Sequence, residues 1–436
     1  VFAFGLSEKD HGADIYSTEM SLTPQKNGHY LANGSKYYIG NGNTAKMVST
    51  FGKMSDSGDY VVFVANYEHK KYDCVKNVVN SQSYVAEYTL DDYPISEKDI
   101  LHKGPEAWNA VLNTVNIGKY NLGWASIGMS THAFYEAISH ASHRKLYNMY
   151  VTDFSHVQQM FVDGYTRLVA MKLVALRAAD YMRVASREDK RYLLYNPVVK
   201  MKVTTQGEKV VDLLWDVIAA KGFEKDTFFD MVTRDIRALP KLEGTVHVNI
   251  ALILKFMASY FFRAKEYPVV DQQSQAQNDD FLFDQGPTRG LGKILFHDHK
   301  KVYKAVRLPN VKVFRKQIRL LKTLLMMAKP DREQRKDIDF LMALGELFTL
   351  VVYGQLILEN AKIYAVEDDI IDQIFDFMVR DFSSHALQLY SKSSATKNQM
   401  RLCSRMIKKP AVNRARFSRI WSDQIFPLKD AYIMQP

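Results

Sequence analysis

A change of pattern about a quarter of the way along the chain most constrains how it can fold. Before this point, short β-prone runs such as residues 60–64 alternate with turn signals, of which Asn27-Gly28 and Asn33-Gly34 are the clearest. After it, apolar residues recur at helical spacing over long stretches. Strands followed by long helices with short connections predict an α+β chain, in which an antiparallel barrel or sandwich precedes a helical bundle.

The same pattern predicts three regions. We expect a β-domain over residues 1–103, a helical bundle over residues 104–262, and a linker with a further helical domain over residues 263–436. The last helix of the bundle should begin at Thr245 and be deeply buried, because it is apolar nearly all round as far as Phe262.

Two further stretches of the C-terminal region are informative. Residues 266–309 are polar and irregular, which is typical of a linker or a functional loop. The most apolar run, residues 347–358, is too short to span a bilayer and predicts a buried helix.

Composition excludes some classes of function. Apolar residues make up 47% of the 436 residues and charged residues 24%, as in ordinary globular proteins. The two cysteines, Cys74 and Cys403, have no disulfide or zinc-ligand spacing, so we expect a reducing, cytoplasmic location.

The formal net charge of +10 fits either a surface for polyanions or, more simply, a solvated basic face. No nucleic-acid module is recognisable, and peripheral membrane contact by residues 401–419 stays open.

The common cofactor and metal motifs are missing. Gly290-x-Gly292 lacks the third glycine of a dinucleotide fingerprint, and no Walker A sequence occurs. His140 and His143 are three residues apart on a predicted helix, but no carboxylate or cysteine completes a metal site. We therefore predict surface histidines and no bound metal.

The segment Glu243-Gly244-Thr245 places a carboxyl group at the start of a predicted helix. The helix dipole favours an anion there, and glycine lets another molecule approach the backbone. Taken by itself, such a glutamate is most often a capping residue.

Six segments follow one another in an informative order. They are Phe4 to Asp14, Asn33 to Gly42, Pro94 with Ile100-Leu101, Arg144 to Asn148, Arg234-Asp235, and Glu243 to Thr245. In order and spacing they resemble the motifs of the acyl-CoA dehydrogenase family.

The resemblance implies an architecture. In that family a middle β-domain packs on a C-terminal four-helix bundle, and FAD lies between them and against a partner subunit. Residues 263–436 resemble the extra helical domain of the longer members, which favours a homodimer. The family's N-terminal helical domain would belong upstream of Val1, so we expect Val1 to be a cut end.

The resemblance also implies a reaction, the oxidation of an acyl-CoA thioester to a trans-2-enoyl-CoA in fatty-acid β-oxidation. Glu243 would remove the proton next to the carbonyl, a hydride would leave to flavin N5, and an electron-transfer flavoprotein would accept the electrons. Some members place the base at the position of Gly118, where glycine cannot serve. We expect burial to raise the pKa of Glu243.

Carried over residue by residue, the resemblance implies three groups of site residues. The catalytic residue is Glu243. Contacts to FAD are expected from Phe4, Leu6, Ser7, Tyr38, Gly40, Arg144, Tyr147, Ser155, Ala219, Ala220 and Thr245. Contacts to the substrate are expected from Asn116, Lys119 and Gly244.

Several of these positions depart from the family pattern. Ser7 and Tyr38 keep the character of the usual Thr and Trp, whereas Ala13 and Gly40 lose a hydroxyl group. The pair Ala219-Ala220 replaces two glycines, and Ser155 stands where the family has a glutamine. Two alternatives to an active dehydrogenase therefore stay open, a flavin-poor structural subunit of a dehydrogenase assembly and an acyl-CoA oxidase.

Overall fold

The computed structural model describes residues 1–12, 14–80, 84–273, 275, 281–282 and 290–432. Ala13 and much of the irregular stretch predicted over residues 266–309 lie outside the described residues. The chain divides into two compact units, one built on Val1–Val115 and the other on the helices from Asn116 onward.

The first unit contains an eight-stranded sheet. The strands run in the order β6-β7-β3-β2-β4-β5-β8, and β1 pairs with β4. Their bounds are β1 Phe2–Gly5, β2 Ser21–Pro24, β3 His29–Gly40, β4 Met47–Met54, β5 Tyr60–Ala65, β6 Tyr72–Asn77, β7 Val85–Ser96 and β8 Ile100–Lys103.

The sheet corrects the prediction of an antiparallel barrel or sandwich. Strand β4 runs parallel to both β1 and β2, so the sheet is mixed. Among the described strands the pairing path starts at β6 and stops at β8 without closing. Turn signals reveal hairpins, but a parallel pair joins strands that are distant in sequence, and no local pattern predicts it.

Asn33-Gly34, interpreted above as a turn, lies inside β3. Gly34 has a φ of 141°, at an irregularity in the pairing of β3 with β7. A Cβ at this position would lie 2.9 Å from the Met20 Cα. Glycine is therefore required by backbone conformation and by close packing rather than by a change of chain direction.

The second unit is helical, and α1 begins just before it. The helices are α1 Pro105–His143, α2 Ser155–Arg183, α3 Tyr192–Val198, α4 Thr204–Ile218, α5 Phe228–Asp235, α6 Val246–Leu254, α7 Met257–Phe262, α8 His299–Ala305, α9 Pro309–Met327, α10 Ile338–Ile363, α11 Asp368–Tyr390, α12 Lys397–Met406 and α13 Arg414–Arg419. A short hairpin of β9 Lys145–Leu146 and β10 Met149–Tyr150 follows α1.

The helix predicted from Thr245 to Phe262 is divided into α6 and α7, which corrects that prediction. The backbone at Gly292 approaches the break, since a Cβ there would lie 3.3 Å from the Lys255 carbonyl oxygen. The expectation of deep burial was also too broad, because Val248 and Phe262 are exposed.

Helix α10 contains the apolar run predicted to be buried. With 26 residues and a mean hydropathy of 1.8 over its most apolar window, it is long and apolar enough to cross a membrane by length and composition. However, 83% of that window is buried inside the fold, and α10 packs against α2, α6 and α11. These contacts are those of a core helix.

A buried charge network ties α10 to α2. The Glu359 carboxylate accepts hydrogen bonds from Arg177 Nε at 2.9 Å, Tyr181 Oη at 2.8 Å and Gln355 Nε2 at 2.7 Å, and His297 Nε2 lies 2.7 Å away. Burial acts to raise the pKa of Glu359, but His297 and Arg177 outweigh it and lower that pKa to about 2.

This network predicts a loss of stability in acid. Because the folded-state pKa of Glu359 lies below its ordinary value, its contribution is complete above about pH 5 and is lost as the pH falls towards 2. Between pH 5 and 3 we expect it to lower the free energy of unfolding by about 2 kcal/mol. Urea unfolding at the two pH values measures this loss. Glu359→Gln should remove that part of the pH dependence, whereas Glu333→Gln at an exposed site should leave it intact.

Candidate functional site

A tight turn carries Glu243 into α6. Glu243 and Gly244 both have left-handed backbone conformations, with φ of 50° and 83°. Thr245 is the N-cap of α6, as predicted, and its side chain accepts a hydrogen bond from the Val248 N–H at 3.5 Å. A non-glycine residue with positive φ is costly, so the surrounding structure must hold Glu243 in this turn.

The carboxyl group of Glu243 lies against the backbone of α1 at Gly118. A Cβ at Gly118 would lie 3.0 Å from Glu243 Cδ and 3.1 Å from Oε1. The two positions that the resemblance to the acyl-CoA dehydrogenases implies for a base therefore meet at one point in this unit. Glycine at 118 leaves the room that the carboxyl group occupies.

Glu243 is only half-exposed, and protein atoms surround most of its carboxyl group. Burial raises the pKa of this carboxyl group, and the positive charges of Lys119 and Lys200 partly oppose that rise. Within the part of the chain that the structure describes, no hydrogen bond to the carboxylate is found. A base with a raised pKa and unengaged oxygen atoms is suited to taking a proton.

Two side chains, Lys200 and Asn249, hold the turn that carries Glu243 through hydrogen bonds to its backbone carbonyl oxygens. Lys200 Nζ donates to the carbonyl oxygens of Pro240, at 2.6 Å, and of Gly244. Asn249 Nδ2 donates to the Gly244 carbonyl oxygen at 2.8 Å. Both side chains are fully buried.

A second group of predicted residues lines a cavity of about 470 Å³ in the same unit. Its walls are His140, Arg144, Ala219, Ala220, Lys221 and Glu224. Three residues predicted to contact FAD therefore come together although they are distant in sequence. The two cations, Arg144 and Lys221, outnumber the one carboxylate, Glu224, which favours an anionic ligand such as a diphosphate.

His140 corrects the prediction of a surface histidine. It is half-buried in the cavity wall, and its Nε2 lies 3.4 Å from Arg144 Nη1. Burial lowers the pKa of His140, and the charges of Arg144 and Lys221 lower it further. The neutral imidazole can therefore accept a hydrogen bond that orients Arg144.

Ala219 adopts a backbone conformation that favours glycine. It follows α4 with φ of 58° and ψ of −141°, a region essentially restricted to glycine. The alanine substitution thus stores strain in the cavity wall.

Ala219→Gly is therefore expected to stabilise the protein. The substitution relieves backbone strain of about 1–3 kcal/mol. Because glycine loses more conformational entropy on folding, about 0.5–1 kcal/mol of this is offset. We therefore expect the free energy of unfolding to rise by about 1 kcal/mol. Thermal unfolding measures this gain. Ala220→Gly is the matched control and should destabilise slightly, because Ala220 is not among the described residues with positive φ. A loss of stability in Ala219→Gly would contradict the expectation.

The flavin contacts predicted for the first unit lie on β1, just after β1, and on the last residues of β3. Phe4 and Leu6 are half-buried against a small apolar cluster. Ser7 Oγ donates to the Tyr37 carbonyl oxygen at 2.6 Å. Tyr38 is 49% exposed at a register shift in β3, with φ of 67°, and Gly40 ends that strand. The shift exposes the Tyr38 ring, as a platform for a ligand would require.

A buried ion pair supports this region. Lys36 Nζ lies 2.6 Å from Glu8 Oε1, and it also donates to the Leu6 carbonyl oxygen at 3.1 Å. The Thr18 hydroxyl donates to Glu8 at 2.5 Å. The first two sequence motifs are thus joined through Glu8 and Lys36.

The remaining predicted residues are more scattered. Tyr147 is 90% exposed at the tip of the β9–β10 hairpin, and Ser155 is exposed at the start of α2. Neither belongs to the cavity wall described above. Asn116 and Lys119 lie on α1 within one turn of Gly118, and the Asn116 Nδ2 atom is buried with no partner among the described residues.

Sequence reasoning missed Lys200, Asn249 and Lys221. Lys221 directly follows Ala220 and could have been found by extending that motif. Lys200 and Lys202 interrupt a largely apolar run, which was a weak signal. Nothing in the sequence pointed to Asn249.

Comparisons with known proteins agree on one family. Residues 106–258 match the family model of the acyl-CoA dehydrogenase C-terminal domain. The chain is 24% identical over 257 residues to the very long-chain specific acyl-CoA dehydrogenase of Rattus norvegicus, which covers 56% of this chain and 38% of that protein. It is 23% identical over 264 residues to an acyl-CoA dehydrogenase of Bacillus subtilis (strain 168), covering 58% and 68% of the two proteins.

A solved structure extends the likeness in fold. The acyl-CoA dehydrogenase complexed with FAD from Bacillus anthracis matches with a TM-score of 0.74 at 14% identity, over 97% of this chain and 76% of that one. The likeness in fold therefore includes the C-terminal helices. The chain spans about two fifths of the length of the rat relative.

Proposed function

We propose that this chain, which belongs to the acyl-CoA dehydrogenase family, oxidises an acyl-CoA thioester to the trans-2-enoyl-CoA with Glu243 as general base. The observation that carries the proposal is the placement of the Glu243 carboxyl group. A Cβ at Gly118 would lie only 3.0 Å from Glu243 Cδ. The two alternative positions of the base in the family therefore converge there.

The residues of the cavity fit the family's cofactor, FAD. Arg144 and Lys221 would hold the negatively charged diphosphate, and the neutral His140 would orient Arg144. In the first unit, the exposed Tyr38 would supply an aromatic surface for the ring system. When bound, FAD supplies the acceptor for the hydride that leaves the substrate.

The chain itself supplies the proton chemistry. The hydrogen next to a thioester carbonyl is weakly acidic, so its removal needs a positioned base of raised pKa. Burial gives Glu243 such a pKa, and the turn directs its carboxyl group to Gly118 on α1. Asn116 and Lys119, on the same stretch of α1, would contact the acyl-CoA.

We further propose an electron-transfer flavoprotein as the acceptor of the electrons and a homodimer as the assembly.

One observation favours the alternative of a flavin-poor structural subunit. Ala219 and Ala220 put two methyl groups into the cavity wall where the family has glycines, and Ala219 is strained. These methyl groups would hinder a cofactor from closing on the backbone.

A spectroscopic experiment tests the proposal. The purified protein is expected to show a flavin spectrum that bleaches anaerobically when butyryl-, octanoyl- or palmitoyl-CoA is added, with an enoyl-CoA as the product in mass spectrometry. A protein that stays colourless after incubation with FAD would favour the structural subunit. Rapid recovery of colour in air would favour an acyl-CoA oxidase.

A further inference from the structure

A buried lysine closes the segment that carries Glu243. Lys200 lies in the π-helical stretch Val199–Val203 between α3 and α4, and its side chain is inaccessible to solvent. Its ammonium group binds the carbonyl oxygens of Pro240 and Gly244. These two carbonyl groups flank the residue proposed as base, so one side chain fixes both ends of the segment.

The Gly244 carbonyl oxygen receives a second donor. Asn249 Nδ2 lies 2.8 Å from it and 2.9 Å from the Thr245 carbonyl oxygen. The left-handed turn is therefore held by two buried donors, of which only Lys200 carries a charge. A buried charge contributes both geometry and an electric field to its surroundings.

The charges around the turn come from several elements. Glu243 faces Lys119 from α1 and Lys200 from the π-helical stretch. Lys200 in turn faces Lys119, Glu243, Lys241 and Glu208. Burial, together with the positive charges of Lys119 and Lys241, lowers the pKa of Lys200 to about 7, and the carboxylates of Glu243 and Glu208 oppose this shift.

We propose that Lys200 is a positioning residue for Glu243, because it holds the turn that presents the carboxylate and its positive charge favours the ionised, proton-accepting form. The consequence for catalysis rests on the proposed function. The geometric and electrostatic part does not, since it concerns only contacts within the chain.

The same stretch offers a matched control. Lys202 is also buried, but its Nζ lies 3.0 Å from Glu346 Oε2 on α10 and makes no contact with the turn among the hydrogen bonds of the described residues. Lys202→Gln therefore removes a buried ammonium group from the same stretch, but it breaks the ion pair with Glu346 and leaves the contacts to the turn in place.

The experiment follows the ionisation of Glu243 by ¹³C NMR in protein labelled at the glutamate carboxyl carbons. The Glu243 signal is assigned by its loss in Glu243→Gln. In Lys200→Gln we expect its titration midpoint to move to higher pH, because a positive charge is lost. Lys200→Arg should restore the wild-type midpoint, and Lys202→Gln should leave it unchanged. An unchanged midpoint in Lys200→Gln, or an equal shift in Lys202→Gln, would overturn the proposal.

Wild-type protein provides a measurement that does not depend on the folding of a variant. As Lys200 loses its proton near pH 7, the Glu243 signal should show a second inflection. A Glu243 signal that does not move over the pH range in which Lys200 titrates would refute the coupling. Both titrations are made without acyl-CoA, so they can fail while acyl-CoA-dependent bleaching succeeds, and the reverse.

In the flavin-loaded protein, Lys200→Gln should slow bleaching about 10²-fold through misplacement of the base, and Lys202→Gln should slow it far less.

Discussion

Glu243→Gln is expected to slow acyl-CoA-dependent bleaching of the flavin by about 10³-fold while flavin content is unchanged. Glutamine has nearly the shape of glutamate but cannot accept the proton, and a positioned base contributes about 10²–10⁴-fold to such a step. The cavity attributed to the diphosphate involves other residues, so binding of FAD should persist. Stopped-flow absorbance under anaerobic conditions measures the rate.

A neighbouring carboxylate provides the control. Glu208 is half-buried in the same unit, and its carboxylate lies 3.3 Å from Lys241 Nζ, but no hydrogen bond joins it to Glu243 among the described residues. Glu208→Gln should therefore keep the rate within a few-fold of wild type. If Glu243→Gln bleached at the wild-type rate, another residue would have to be the base.

Lys36→Met is expected to cause the largest loss of stability. The substitution leaves the Glu8 carboxylate buried without its counter-charge, and breaking a buried pair in this way costs about 3–5 kcal/mol. It also removes the donor to the Leu6 carbonyl oxygen. Calorimetric or urea unfolding measures the change, and the exposed Lys46→Met should change stability by less than about 0.5 kcal/mol.

A double variant separates charge from packing. Glu8→Gln/Lys36→Met removes both charges, so it should be less destabilised than Lys36→Met alone. A loss below about 1 kcal/mol in Lys36→Met would mean that water reaches the pair and solvates Glu8. Because Leu6 and Ser7 adjoin this pair, weaker binding of FAD should accompany the loss of stability.

The sequence predicted much of the local structure. The change from strands to helices, the long α1 and the N-cap at Thr245 depend on contacts within a few residues, which leave a readable pattern. The order of the motifs predicted the resemblance to the acyl-CoA dehydrogenase family, which the family model over residues 106–258 and the relatives support. The role of each predicted site residue stays a prediction.

Other features were decided by tertiary structure. The mixed sheet results from the parallel pairing of β4, and α6 is divided from α7 at a point that the Gly292 backbone approaches from a distant part of the chain. The same holds for the site, where Gly118, Lys200 and Glu243 come from three separate parts of the chain.

By itself, the sequence determined the change from strands to helices, the start of α6 and the position of the candidate base, because hydrophobic period, caps and motif order are written in neighbouring residues. Only the tertiary structure decided what surrounds that base. Burial and the positions of buried charges arise when distant segments pack together, and these set the pKa of Glu243.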